Sequence, residues 1–187
     1  MVGLVERWIF MITLQQQKQK IERLAEQHSS SQVETYKDSI FLPYVTLPNA
    51  KGKGTMMEEF FHWYLNEIGI KCQWIKTNAN YDFLINDESK VELKVASIGH
   101  KNVVVFNQLH FGEMREVDKF LFAIIKPDDT IDFFVVPKED FMDGKIKVQK
   151  QHSTDANTCA RLCWPYNRMV KELEKYKVEI DNLSKKL

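Results

Sequence analysis

Three kinds of periodicity succeed one another along the chain. Over residues 1–28 the apolar positions Leu4, Met11, Leu14, Ile21 and Ala25 recur at spacings of seven, three, seven and four, and no proline intervenes, which predicts an amphipathic helix. The serine-rich run 28–32 ends it, and residues 40–48, with Pro43 and Pro48, predict extended or irregular chain. Lys51-Gly52-Lys53-Gly54 reads as a flexible basic loop, after which Thr55 is placed to cap a helix with Glu58 completing the capping box. Phe60, Phe61, Tyr64, Leu65 and Ile68 form that helix's apolar stripe, and Gly69 ends it.

From residue 71 the helical period gives way to alternation. It predicts strands over 72–76, 81–85 and 90–96, the last two joined by a turn of Asn86, Asp87 and Glu88. A short strand is expected at 103–106, and a second hairpin at 119–125 and 131–136 around the turn Pro127-Asp128-Asp129-Thr130. After Pro165 the spacing of Met169, Leu173, Tyr176, Ile180, Leu183 and Leu187 alternates between four and three, which predicts a C-terminal helix over 169–187 with a heptad-like seam. These elements imply an α/β fold with a central mixed sheet flanked by helices, in a single domain of 187 residues.

Composition narrows the partners. Twenty-six basic residues balance twenty-six acidic ones, so any contact with nucleic acid falls to a local patch. Three scattered cysteines form no disulfide framework and suggest a reducing, cytoplasmic setting. The apolar run 8–14 is too short to span a bilayer, and no cleavage site follows it, so no membrane partner is expected.

The chemistry concentrates on one hairpin. A period of two puts Val91, Leu93 and Val95 on one face of their strand and Glu92 and Lys94 on the other. A turn centred on Asp87 sets Asp82 directly across from Glu92. Facing carboxylates repel unless something offsets them, and a divalent cation would do so. Mg²⁺ commonly takes one or two carboxylates and fills its other positions with water and phosphate oxygen. Lys94 could then orient or help deprotonate a bound water, or stabilise charge building on phosphate. Glu58 on the preceding helix could supply a further carboxylate, with Glu59 facing away.

Lys53-Gly54-Thr55-Met56-Met57-Glu58, Tyr81-Asp82-Phe83-Leu84-Ile85 and Glu92-Leu93-Lys94, in that order, resemble the PD-(D/E)xK nuclease core, and within that superfamily the type II restriction endonucleases most. The resemblance covers residues 53–96 closely and extends to 136 more loosely. It implies a restriction-endonuclease-like core at 53–136, in which Asp82 and Glu92 bind Mg²⁺, or Mn²⁺ as a substitute, Glu58 supports the metal site and Lys94 assists the water. The catalytic set would be Glu58, Asp82, Glu92 and Lys94. Tyr81 stands where the family name has proline. The implied activity is hydrolysis of double-stranded DNA to 5′-phosphate and 3′-hydroxyl ends.

Within residues 144–168, Lys145, Lys147, Lys150, Arg161 and Arg168 face the single acid Asp155, and Asn157 and other amides are interspersed, which suits DNA contact. Lys51 and Lys53 are candidates for backbone phosphate, and Ser97, Asn107 and Gln108 follow the strand of Glu92. His152, Cys159 and Cys163 lack a fourth ligand for zinc, and the two cysteines, four apart, would share a helix face and pack. The C-terminal seam suggests a homodimer, whose symmetry would suit cutting both strands. A structure-specific junction or repair nuclease, and a catalytically silent interaction protein, are the rival readings.

Overall fold

The computed structural model describes residues 31–76, 80–113, 115–151 and 159–187; the helix predicted over 1–28 lies outside them. Residues 31–187 cluster as one compact unit. Its α/β architecture is built on a six-stranded mixed sheet of β1 (Cys72–Trp74), β2 (Phe83–Ile85), β3 (Ser89–Ser97), β5 (Lys119–Ile125), β6 (Ile131–Pro137) and β9 (Lys177–Val178), in that spatial order. The β3–β5 pair is parallel and the other pairs are antiparallel. Between β3 and β5 the chain leaves the sheet to form β4 (Val103–Leu109), which joins β8 (Ala160–Pro165) and β7 (Gln149–Lys150) in a second sheet of three strands.

Both faces of the central sheet are covered. Leu121, Ala123 and Ile125 of β5 pack on one side with Phe61 and Leu65, while Phe120, Phe122 and Ile124 pack on the other with Phe106, Leu162 and Trp164. A strand buried on both faces needs a continuous apolar run, which Phe120 to Ile125 supplies. The first face is capped by α3 (Ala50–Glu67), together with α1 (Ser31–Thr35) and α2 (Leu42–Thr46). Tyr36 ties their segment to the sheet: its hydroxyl donates to Ile125 O at 2.6 Å and accepts from Ile98 N at 2.9 Å. The second face carries the small sheet, α4 (Lys138–Met142) and α5 (Tyr166–Glu172). Among the described residues no helix is long and apolar enough to cross a membrane.

Several elements depart from the sequence expectation, beginning with residues 40–48, expected to be extended or irregular, where Leu42–Thr46 form α2 with Pro43 in its first turn. The basic Gly-Lys segment forms the first turns of α3, because Asn49 rather than Thr55 caps the helix, its Oδ1 accepting from Gly52 N at 2.5 Å. The cap at Asn49 offsets part of the cost of Gly52 and Gly54, each about 1 kcal/mol in a helix interior. The C-terminal heptad helix does not form. The chain breaks there into α5, a 3-10 turn at Glu174–Tyr176, β9, a second 3-10 turn at Ile180–Asn182 and α6 (Leu183–Lys186). Met169, Leu173 and Tyr176 enter one core cluster and Val178, Leu183 and Leu187 the other. The spacing of four and three thus serves two sides of a sheet, with Ile180 alone of the six positions left exposed.

Candidate active site

β3 carries the site. Val91 and Leu93 are buried under α3, so strand alternation turns Glu92 and Lys94 to the opposite face. The β2–β3 ladder runs only as far as the pair Phe83–Val91; Asp82, just before β2, donates its N–H to Val91 O at 3.1 Å, so it departs from the regular register that the turn position predicts, yet its carboxyl lies close enough to Glu92 to feel that charge. Asp82 Oδ2 also accepts from Leu93 N at 2.8 Å, a bond across the pair that holds the carboxylate against β3. Lys94 Nζ donates to Glu92 Oε1 at 2.6 Å, and the two side chains are only 17% and 16% exposed. Their pairing joins neighbours two apart on one strand face, where the stems lie side by side.

The electrostatics are unbalanced. Burial, followed by the charge of Glu92, pushes the Asp82 carboxyl up from 3.8 to about 7; Glu58 adds to the rise, while the Leu93 N–H and the Lys94 ammonium oppose it. Three carboxylates therefore act on a site with one ammonium among them. Such a site takes up a proton or a cation. Glu58 projects from α3 toward the sheet edge, where its Oε2 accepts from Trp74 Nε1 at 3.3 Å. It contributes charge to Asp82, but among the described residues no three His, Cys, Asp or Glu side chains form a group able to hold a metal ion. An ion here would rest on Asp82 and Glu92, with water and phosphate oxygen completing its shell, a set that suits Mg²⁺ or Mn²⁺.

The expected DNA-contacting residues separate into groups. Lys51 is exposed on the first turn of α3. Lys53 is withdrawn from any phosphate: its Nζ donates to Val45 O at 3.0 Å and lies 5.5 Å from the centre of the Tyr44 ring. Ser97 is half-buried at the end of β3. Asn107, Gln108 and Arg161 are exposed on the second sheet, and Asn157 and His152 lie outside the described residues. Cys159 and Cys163 fall just before and within β8, so the helix face once shared by them is replaced by a strand.

Sequence reasoning missed the partners that come from far along the chain. Trp74 orients Glu58, and Arg115 donates from Nη1 to Asn80 Oδ1 at 3.0 Å, bracing the segment that leads into Asp82. Arg115 is itself held through its carbonyl, which accepts from the buried Lys138 at 2.5 Å. Nothing in local spacing announces a contact of this kind.

No protein-family model matches this sequence, and no curated protein matches it. Among solved structures, a bacterial homing endonuclease is similar, with 14% sequence identity and a TM-score of 0.42 over 63% of this chain and 76% of that one. Likeness at this level assigns no activity.

Proposed function

We propose that the protein is a Mg²⁺-dependent endonuclease that hydrolyses phosphodiester bonds in double-stranded DNA, of the sequence-specific restriction type. The observation that carries this reading is the convergence of Asp82, Glu92 and Lys94, two half-buried carboxylates whose charges act on each other with an ammonium 2.6 Å from one of them. Asp82 and Glu92 would hold the ion, and their mutual repulsion is the reason the site favours one. A bound Mg²⁺ would supply Lewis acidity toward the phosphate and a water of lowered pKa.

The chain's own groups do the rest. The Leu93 N–H fixes one oxygen of Asp82. Lys94, its stem packed against β3, would donate an N–H to the attacking water or to a non-bridging phosphate oxygen and so fix the line of attack. Glu58, steadied by Trp74, would add negative potential that strengthens cation binding without touching the ion. A dimer would bring two such sites to opposite strands.

The direct test incubates the purified protein with unmethylated plasmid and Mg²⁺ and sequences the fragment ends. Discrete fragments with 5′-phosphate ends support the reading; plasmid left intact with both Mg²⁺ and Mn²⁺ contradicts it. Branched substrates cut in preference to linear duplex would favour the junction or repair nuclease instead.

A further inference from the structure

The second sheet presents a row of polar groups that the active site does not use. Val104, Phe106, Ala160, Leu162 and Trp164 turn inward, so Arg161 and its neighbours face solvent. The β4–β8 register pairs Phe106 with Leu162 and Leu109 with Ala160, which leaves Asn107 and Gln108 together opposite Arg161 in a bulge. On the other side Arg161 pairs with Gln149 of β7. The row therefore runs across three strands, about 10 Å from edge to edge at the usual strand spacing.

The bulge is held with some care. Gln108 has φ of 54°, a conformation costly for a residue with a side chain, and its N–H is fixed by Gln151 Oε1 at 2.5 Å. Its effect is to break alternation, so that Asn107 and Gln108, adjacent in sequence, are both exposed. Arg161 Nε donates to Gln149 Oε1 at 3.3 Å, which sets the plane of the guanidinium. Lys147, exposed two residues before Gln149, forms no ion pair with any described acid, whereas Lys145 is spent on Asp140 and Asp143, and Lys150 pairs with the inward-facing Ala160 on the other side of the sheet.

We propose that this face of the second sheet enters the major groove of B-form DNA and reads base edges through Asn107, Gln108 and Arg161, with Lys147 on a flanking phosphate. The inference rests on duplex DNA being the substrate. An antiparallel ribbon fits a groove about 12 Å wide, and arginine and amide side chains are the groups that pair bidentately with guanine and adenine there. Arg161 and Lys147 supply the complementary charge.

The test is selection from a randomised duplex DNA library with Ca²⁺ in place of Mg²⁺, so that binding is read without cleavage. Wild type is expected to enrich one motif. Arg161→Ala should lower discrimination about tenfold or more at one or two adjacent positions, and Asn107→Ala at their neighbours. Both variants returning the wild-type motif at unchanged enrichment would overturn the proposal, as would a wild type that enriches no sequence. An Arg161-dependent motif from a protein that leaves plasmid intact in Mg²⁺ supports groove reading and removes the nuclease reading. Plasmid cutting with a motif unaffected by either variant does the reverse.

Discussion

Replacing Asp82 with Asn should make the metal-free protein more stable while removing its activity. Asn keeps an oxygen for the Leu93 N–H and discards the charge that Glu92 repels. A carboxyl raised from 3.8 to about 7 is ionised at the expense of folding; a shift of that size corresponds to about 4 kcal/mol, and partial access of solvent reduces the recoverable part to about 2. The folded state holds the Asp82 proton more tightly than the unfolded chain does. Wild-type stability therefore falls as pH rises from about 4 to about 7, and Asp82→Asn is spared that fall. Thermal unfolding in EDTA should show the variant about 4–8 °C above wild type at about pH 8 and equal to it near pH 4. Mg²⁺ should narrow the gap by stabilising wild type alone. A variant that unfolds at or below the wild-type temperature at about pH 8, or a gap that does not change with pH, would refute the electrostatic reasoning.

The packing and helix arguments yield further expectations. Phe61→Ala, at a fully buried site between α3 and the sheet, should cost about 3–5 kcal/mol in urea unfolding. Gly54→Ala should stabilise α3 by up to about 1 kcal/mol, because its added carbon meets only Glu58 Oε1 at 3.8 Å. At Gly52 the same carbon would lie 2.9 Å from Asn49 Oδ1, so Gly52→Ala should displace the cap and give no gain in melting temperature. Lys147→Ala should weaken duplex binding evenly across sequences and reduce the slope of log affinity against log salt by about one, measured by fluorescence anisotropy.

What the sequence disclosed, and what it withheld, divides by the range of the interactions involved. The nearness of Asp82 to Glu92 was legible because a tight hairpin brings its strands together and period-two burial fixes which face Glu92 and Lys94 take; the register at Asp82 was not, since its N–H reaches Val91 O. The α/β class followed from the same alternation. Helix α3 was foreseen in its apolar stripe and misjudged at its start, since glycine signals were weighed above a single cap at Asn49. The C-terminal seam misled because spacings of four and three also arise when short segments alternate between two cores. Lys53 looked like a phosphate contact until Val45 and Tyr44, brought close by α2, claimed its ammonium. The row of Asn107, Gln108, Arg161 and Gln149 was divided between distant stretches of chain, and only the pairing of β4, β8 and β7 assembles it.

The hydrolytic account stands most directly on a comparison of plasmid-cutting rates at saturating Mg²⁺ for wild type, Glu92→Gln and Lys94→Met, with each variant shown to unfold cooperatively. Wild type should convert supercoiled plasmid to cut forms and lose that ability in EDTA, while each variant should be slower by about a hundredfold or more. Cutting at the wild-type rate by either variant, or by wild type in EDTA, would contradict it.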